Sequence, residues 1–261
     1  MEKGKDKKRK KKSGRIIFAA LISVFVIAGG IALYNIITRE ASYSAARQEY
    51  VELRQLAPTP APAPMPENPP TTEVGPNNES QEPEESSNDI ADLSDINPDY
   101  IGWIRIDGTG IDYPVVQGAD NYRYMGITFM GERNSSGAIF MDIRCANRFE
   151  GFSILYGHNM RDGSMFSELH SYRDAAFIDA HPEIQIFKPD GGVWIFRIFD
   201  VKLTNVQDTV FTLPGSSQDA VVEYFSGHGI MESADILVLS TCTTGNRDDE
   251  RLLVFAERWG E

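Results

Sequence analysis

Cysteine and histidine are scarce in this chain of 261 residues, which contains two cysteines and four histidines. Two cysteines exclude a disulfide-rich scaffold, and so few thiols and imidazoles leave little for a cysteine-rich zinc module. Lysine and arginine number 25 against 38 aspartates and glutamates, so the formal net charge is −13. Because a nucleic-acid binder needs a basic surface to meet the phosphate backbone, we expect no nucleic-acid partner.

The basic residues that the chain does have are concentrated at its N-terminus. Residues 1–15 contain nine lysines and arginines and two acids, a charge of +7 that leaves −20 for the other 246 residues. Such a separation of charge along one chain indicates that its parts lie in different surroundings.

A long apolar run follows this basic tail. Residues 16–37 read IIFAALISVFVIAGGIALYNII and contain no charged residue. As a helix they span roughly 33 Å, which matches a hydrocarbon core of about 30 Å. Because lysines mark the cytoplasmic side, we expect a cytoplasmic tail over 1–15, a single transmembrane anchor over 16–37 and the rest outside the cell. A cleaved signal peptide is the alternative, although its apolar region is usually only ~7–15 residues long.

Residues 38–96 divide into a helical extension and a stalk rich in proline and acid. Apolar residues in 39–56 recur at spacings of three and four, which predicts that the helix continues, with a membrane-surface or dimerising role as the alternative. From Ala57 to Asp99 there are ten prolines, ten acids and no lysine or arginine. This composition cannot offset its ordering entropy by burial, so we expect a disordered stalk, with a short helix packed on the domain near Leu93.

Residues 97–261 are enough for one domain with its own core. Short alternating apolar runs separated by Gly, Asp, Asn and Pro predict eight strands: Tyr100–Ile106, Asp112–Val116, Gly137–Met141, Phe152–Tyr156, Ile184–Phe187, Gly192–Val201, Ile236–Ser240 and Leu252–Trp259. Four stretches are predicted to be helical: Asn121–Tyr124, Met165–Tyr172, Asp174–His181 and Ser217–His228. The fold class is therefore mainly β with helices, a closed or nearly closed β-barrel.

Two residues with reactive side chains share the same setting. Cys242 ends the apolar run DILVLSTC, where a buried strand opens into a polar loop, and His158 follows the strand ILYG in the same way. A catalytic thiol needs a base or a cationic neighbour. Arg251 opens the last predicted strand, and antiparallel pairing of that strand with the strand of Cys242 would set a guanidinium beside the thiol, suited to an oxyanion.

Simpler interpretations compete with this one. A single cysteine is most often a small buried residue, and Arg251 alone fits a surface charge paired with a neighbouring acid. His170, His181 and His228 are interpreted as solvated surface or helix-end residues. A disulfide between Cys145 and Cys242 stays open, as does calcium binding by the acids at 248–250, whose spacing does not form an EF-hand.

Together these residues resemble a known family. The LSTC that ends at Cys242, the LYGHN around His158 and the arginine before the terminal strand are similar to the Cys, His and Arg of a sortase. Three blocks in the same order resemble class B sortases specifically: NPDYIGWIRIDGTGIDYPVVQGADNYRYM at 97–125, GAIFMDIR at 137–144 and SMFSELHSY at 164–172.

The resemblance implies an eight-stranded sortase-type β-barrel and a cysteine transpeptidase that uses no cofactor or metal. Such enzymes are anchored by the N-terminus in a Gram-positive-type cell membrane. They cut the C-terminal sorting signal of a secreted protein, usually between Thr and Gly. The acyl group then passes to an amine of the peptidoglycan cross-bridge or of lipid II, or in some relatives to a pilin lysine.

The resemblance also assigns roles to residues of the site. Cys242 would be the nucleophile, His158 would protonate the leaving amine and deprotonate the incoming one, and Arg251 would stabilise the oxyanion or position the signal. Five further residues match positions of the signal groove in class B relatives: Ser240, Asn121, Met125, Val210 and Phe211.

Three other functions compete with a sortase. A papain-like peptidase has its Cys before its His in the chain, whereas here His158 precedes Cys242. An L,D-transpeptidase places His and Gly directly beside its Cys, which Ser-Thr-Cys-Thr does not. A membrane-tethered binding module without chemistry would leave the shared placement of Cys242, His158 and Arg251 unexplained.

Overall fold

The structure is a computed structural model, and it describes residues 3–58, 91–227, 235–243 and 249–260. The chain forms two compact units, Met1–Ala45 and Ala46–Glu261. The first unit is made by helix α1 (Lys3–Leu53), whose last residues belong to the second unit. Within Leu21–Leu56 this helix is long and apolar enough to cross a membrane. Its side chains from Leu21 to Glu40 are exposed, as expected of a surface that lipid covers.

The second unit is built on a closed barrel of eight strands. They are β1 (Tyr100–Arg105), β2 (Asp112–Val116), β3 (Ile139–Met141), β4 (Phe152–Tyr156), β5 (Glu183–Phe187), β6 (Val193–Asn205), β7 (Ile236–Cys242) and β8 (Glu250–Trp259). Their order around the barrel is β1-β2-β3-β4-β7-β8-β6-β5, and β5 pairs with β1 to close it. The predicted closed eight-stranded barrel is therefore confirmed, with strand boundaries that differ from the prediction by a few residues.

Helices are short and lie between the strands. They are α2 (Ala91–Ile96), α3 (Ala175–Ala180) and α4 (Gln218–Tyr224), and the 3₁₀ segments Arg54–Leu56, Arg123–Met125, Ser167–Arg173 and Thr209–Thr212. α3 and α4 begin at Asp174 and Ser217, whose side chains accept hydrogen bonds from the first-turn amides. The helix predicted over Ser217–His228 has its last residue outside the described part of the chain.

Pairing between β4 and β7 is parallel, and this fixes the composition of β7. The strand contributes the continuous apolar run Ile236–Leu239, and every residue from Ile236 to Thr241 is buried. It lies between β4 and β8, and both faces of the sheet are covered there. Phe225, just after α4, helps to cover this region because its ring packs edge-on against Phe255 of β8 with centroids 5.3 Å apart.

The helical stripe predicted in 39–56 packs on the barrel of its own chain. Ala46, Tyr50 and Leu53 are buried at the predicted spacing of three and four. The Tyr50 hydroxyl donates to the Gly137 carbonyl at 2.6 Å, and its ring lies edge-on to Tyr113 with centroids 5.2 Å apart. The membrane-surface and dimerising alternatives are thus replaced by an intramolecular contact, since the stripe is already covered.

Two described segments that flank the proline-rich stretch contact this same barrel. The Pro58 carbonyl accepts a hydrogen bond from Arg105 of β1 at 3.2 Å. On the other side, α2 is the short helix predicted near Leu93, and the Leu93 side chain is fully buried. Asn97 follows it and donates to the Phe129 carbonyl at 2.8 Å. The central part of the predicted stalk, residues 59–90, lies outside the described residues.

The contact of Tyr50 predicts that the helical segment stabilises the catalytic unit. Replacement Tyr50→Phe removes one buried hydrogen bond and is expected to lower the free energy of unfolding by about 1 kcal/mol. Replacement Tyr50→Ala also leaves a cavity and is expected to cost about 3 kcal/mol. Denaturant unfolding of the full chain in detergent micelles, followed by tryptophan fluorescence, measures both.

Tyr122 provides the matched control, because 79% of its surface is exposed. Tyr122→Ala is expected to change the free energy of unfolding by no more than about 0.5 kcal/mol. Equal unfolding midpoints for Tyr50→Ala and the unaltered chain would contradict the assignment of residues 46–56 to the domain.

Candidate functional site

The parallel pairing of β4 with β7 brings two chain segments to one end of the barrel. Tyr156 and Ser240 are the last Cα partners of this pair, and the Gly157 amide donates to the Ser240 carbonyl at 3.2 Å. His158 follows β4 directly and Cys242 ends β7, so the two come within a few residues of the last pair. Residues more than 80 positions apart in the sequence are thereby brought to the same end of the sheet.

Glycine at 157 is required by the packing just before His158. A Cβ atom built at this position would lie 2.6 Å from Ile139 Cδ1 and 2.6 Å from the ring of Phe166. No side chain fits that space without displacing a core residue. The glycine therefore allows the chain to leave β4 tightly against the barrel, which sets the position of His158.

Arg251 lies directly opposite Cys242. The two residues are Cα partners in the antiparallel pair of β7 with β8. Side chains of directly opposed residues stand on the same face, with Cβ atoms about 5 Å apart. The Arg251 guanidinium also donates through Nη1 to the Glu250 carbonyl at 2.8 Å. A cation thus stands beside an exposed thiol at the end of the barrel.

These three residues line one pocket of about 330 Å³. Four of the five predicted groove residues, Ser240, Asn121, Met125 and Phe211, line it too. Seven other residues complete the described lining: Phe140, Asp142, Arg144, Tyr156, Gly157, Val206 and Thr241. Val210 differs from the prediction because it is fully buried, so its neighbour Phe211 and Val206 form that wall instead.

His158 is held by the backbone of the facing segment. Its Nε2 atom lies 2.7 Å from the Met125 carbonyl oxygen. Because a carbonyl oxygen only accepts, Nε2 carries the proton in this contact. In the neutral imidazole Nδ1 is then the free acceptor, which leaves one ring nitrogen available to take and return a proton.

Ser240 presents an unusual polar atom to the pocket. It lies two residues before Cys242, so the two side chains point to the same face of β7. The residue is only 2% exposed, and within the described part of the chain its Oγ has no hydrogen-bond partner. A buried hydroxyl without a partner is costly, so this atom is suited to a hydrogen bond with a bound ligand.

A buried carboxylate that we did not single out from the sequence forms part of the pocket wall. Asp142 has a fully buried side chain, which Arg144 binds in a bidentate manner through Nε and Nη2 at 2.9 and 2.8 Å. Burial alone would raise the pKa of Asp142, but hydrogen bonds from Arg144 and from Asn121 outweigh it and hold this pKa below its usual value. Tyr156 adds a third donor at 3.0 Å.

The Asp142–Arg144 pair connects the two walls of the pocket. Arg144 Nη2 also donates to the Phe211 carbonyl at 3.0 Å. On its other side, the Phe211 segment is anchored by Asp208, which caps the 3₁₀ turn and pairs with Lys202 at 2.8 Å. Burial opposes ionisation of Asp208, but hydrogen bonds from Lys202 and Thr204 hold its pKa well below the ordinary value. Two ion pairs thus fix the segment that carries Phe211.

The other cysteine and histidines lie in different settings. Cys145 and Cys242 are both free thiols, and Cys145 is buried. His181 Nδ1 lies 2.8 Å from the Asp107 carbonyl, while His228 lies outside the described residues. His170, interpreted from the sequence as a surface residue, has its Nε2 atom 3.0 Å from the carbonyl oxygen of Cys242. Only the folded chain brings His170 to the site, so periodicity gave no signal for it.

No metal centre is seen in the part of the chain that the structure describes, since no three His, Cys, Asp or Glu side chains there are arranged to hold an ion. Asp248, one of the three successive acids considered for calcium, is among the residues left undescribed.

Comparisons with known proteins agree with this geometry. The family model described as a sortase domain matches residues 104–259. Sortase B of Listeria monocytogenes is 34% identical over 172 residues, which cover 61% of this chain and 69% of that protein. Sortase B of Staphylococcus aureus is 36% identical over 119 residues, covering 44% of this chain and 48% of that protein.

Solved structures of class B sortases have the same fold. Clostridium perfringens sortase B matches with a TM-score of 0.60 and 30% identity over 65% of this chain and 99% of its own. S. aureus sortase B in complex with substrate matches with a TM-score of 0.59 and 27% identity, over 65% and 84%. A Streptococcus pyogenes class B sortase involved in pilus biogenesis matches with a TM-score of 0.57 and 29% identity, over 65% and 97%.

The difference between the two thiols predicts selective alkylation. Cys242 is exposed, whereas burial raises the pKa of Cys145 to about 11. At pH 8 a maleimide is expected to add one label to the native chain and two after denaturation, because the thiolate is the reactive form. Intact-protein mass spectrometry counts the labels, and Cys242→Ala is expected to give none in the native state. A label on native Cys145 would contradict its burial.

Proposed function

Because the chain belongs to the sortase family and is a class B cysteine transpeptidase, we propose that Cys242, His158 and Arg251 carry its chemistry. The observation that carries this proposal is the antiparallel pairing that sets Arg251 opposite Cys242 in the pocket that His158 also lines. The substrates that we propose are secreted proteins with a C-terminal sorting signal.

In the first half of the reaction Sγ of Cys242 attacks the scissile carbonyl carbon of the signal. The carbon–nitrogen bond breaks, the leaving amine takes a proton from His158, and a thioester forms on Cys242. In the second half an incoming amine attacks the thioester carbon and gives its proton to His158, and the thiol leaves. The contact of Nε2 with the Met125 carbonyl supports this role, because it keeps Nδ1 available for proton transfer.

Both halves pass through a tetrahedral intermediate with a negative oxygen. The Arg251 side chain starts on the same face as Cys242 and remains cationic at every physiological pH. It is therefore suited to stabilise this oxyanion or to hold a carbonyl group of the signal.

The same pocket supplies the groove for the signal. The unpartnered Oγ of Ser240 is suited to hydrogen-bond the bound peptide close to the scissile bond. Met125 and Phe211 give apolar walls, and Asn121 adds a polar edge. Val210 supports the wall from within the core rather than by contact with the peptide.

The cleavage site and the acceptor are the finer parts of the proposal. We place cleavage between Thr and Gly, with transfer to an amine of the peptidoglycan cross-bridge or lipid II. Support comes from S. aureus sortase B, which is 27% identical and has been solved with substrate and with triglycine. The alternative is a pilin lysine as acceptor, and here the similar S. pyogenes enzyme involved in pilus biogenesis is the supporting observation.

Domain organisation and location are proposed from the sequence and the helix together. Residues 1–15 are the basic cytoplasmic tail, and 16–37 cross the cell membrane once. Residues 38–45 and the stretch 59–90 are connecting segments. The catalytic domain lies outside the cell and extends from residue 97 to the end, with 46–56 packed against it.

Substitution of the three catalytic residues tests the mechanism. With the full chain in detergent micelles and a Thr–Gly sorting peptide, Cys242→Ala and His158→Ala are expected to reduce turnover to background. Arg251→Lys keeps a charge but loses the planar fork of donors, so kcat is expected to fall about 10²-fold. Chromatographic separation of the cleaved peptide measures turnover, and mass spectrometry identifies the thioester on Cys242.

Two acceptors distinguish the alternatives within this experiment. Triglycine is expected to yield a ligated product faster than a peptide whose only free amine is a lysine side chain. A faster reaction with the lysine peptide would favour pilin as acceptor. Full turnover by Cys242→Ala would rule out the mechanism itself.

The proposed topology predicts where the reactive thiol is found on a living cell. A membrane-impermeant maleimide added to intact Gram-positive cells that express the chain is expected to label Cys242. Cys242→Ala cells serve as the matched control and are expected to remain unlabelled. Labelling that requires cell lysis would place the catalytic domain inside the cell.

A further inference from the structure

Two side chains outside the proposed catalytic trio meet the backbone carbonyl of Cys242. Asn159 Nδ2 donates to this oxygen at 3.1 Å. His170 Nε2 lies 3.0 Å from the same oxygen and 3.1 Å from Asn159 Nδ2. Because the carbonyl oxygen only accepts, His170 makes a hydrogen bond to it when Nε2 carries a proton, and the two donors then share the two lone pairs.

The position of this carbonyl explains why it needs side-chain donors. In the parallel pair of β4 and β7, the Gly157 amide donates to the Ser240 carbonyl. Two residues further along both strands, the regular ladder would have the Asn159 amide donate to the Cys242 carbonyl. At this point the chain instead turns away from β7, and Asn159 forms a bridge with Met165. The side chain of Asn159 therefore takes the place of its own backbone amide.

Other contacts hold the two donors firmly. The Phe166 amide donates to the His158 carbonyl at 2.9 Å, which closes the turn that contains Asn159. His170 lies in the 3₁₀ segment Ser167–Arg173, where its neighbours Leu169 and Tyr172 are fully buried. One stretch of chain, 158–170, thus carries the proposed base His158 together with both donors.

We propose that Asn159 and His170, which we call the carbonyl clamp, are positioning residues that hold Cys242 in register with His158 and Arg251. The inference rests on the proposed role of Cys242 as nucleophile. Thr241 Oγ1 donates to the Gly157 carbonyl at 2.8 Å, so the side facing β4 is fastened up to the residue before the nucleophile. The carbonyl clamp extends that fastening by one residue, to Cys242 itself.

Loss of the carbonyl clamp would act on the chemical step. The end of β7 would then be held mainly through its pairing with β8, and the thiol would be free to shift relative to the imidazole. A displacement of about 1 Å in a reacting group costs about 10²-fold in rate. Binding of the signal should change little, because Ser240, Asn121 and Phe211 do not contact the clamp residues through any hydrogen bond that the described part of the chain contains.

Two substitutions and a rescue test the inference in the full-length enzyme. Asn159→Leu removes the donor at similar volume without adding charge near the thiol, and His170→Phe keeps a ring without nitrogen. Each is expected to lower kcat for the sorting peptide by 10- to 100-fold, with KM within about twofold. His170→Gln restores a donor and is expected to recover most of the rate. Because the two donors serve one acceptor, the double variant should fall less than the product of the single effects.

His181→Phe is the matched control, since His181 makes the same kind of contact with a backbone carbonyl, that of Asp107, on another part of the barrel. It is expected to leave kcat unchanged. The alkylation rate of Cys242 and the unfolding midpoint are measured for every variant. In the clamp variants the alkylation rate is expected to change while the midpoint stays within a few degrees.

Three outcomes would overturn the inference: unchanged kcat in both clamp variants, a rise in KM that accounts for the loss, or a loss of rate that follows the unfolding midpoint. If Asn159→Leu does not fold, the comparison of His170→Phe with His170→Gln decides alone, since equal rates in those two variants exclude a donor role. Failure of the carbonyl clamp leaves Cys242→Ala inactive, whereas failure of the proposed function shows as turnover by Cys242→Ala, so the two are distinguishable.

Discussion

The parallel pairing of β4 with β7 is the constraint on which the site depends. It sets the end of the strand before His158 beside the end of the strand that carries Cys242, and antiparallel pairing of β7 with β8 then brings Arg251 opposite the thiol. Parallel neighbours need a long crossover, and the residues between β4 and β7 include β5, β6 and α4. Closure of the barrel through β5 and β1 gives that crossover a fixed path. The chemistry therefore depends on the barrel as a whole and not on one local motif.

Ion pairs in this molecule act chiefly on the loops around the pocket. Asp142 with Arg144, and Asp208 with Lys202, hold the two walls in place, and both carboxylates have lowered pKa values despite their burial. Removing one partner of such a pair leaves a desolvated charge, so each pair fixes its loop more strongly than an exposed ion pair would. The net charge of −13 says little about the site, since these charges are locally balanced and the chain's basic and acidic segments lie elsewhere.

Local patterns predicted the strands well, because alternation and turn residues decide strand formation within a few positions. The apolar run before Cys242 and the run before His158 both end where the sequence indicated. The same reasoning found the stripe at Ala46, Tyr50 and Leu53 but not its partner, because the covering surface around Tyr113 and Gly137 lies more than 60 residues away. Asp142, Asn159 and His170 were missed for this reason as well, since each depends on contacts that form only in the folded chain.

The stretch that begins after Pro58 and ends before Ala91 starts and finishes on the same barrel. Pro58 is held by Arg105, and Leu93 is buried shortly after the stretch returns. Its ends are therefore a closed loop of one body, and its length enters the free energy of folding only as a loop-closure entropy, about 0.6 kcal/mol for each doubling. Insertions, deletions and exchange of proline or acid between 59 and 90 are therefore expected to drift freely among relatives, while residues 46–58 remain under the selection that acts on a protein core.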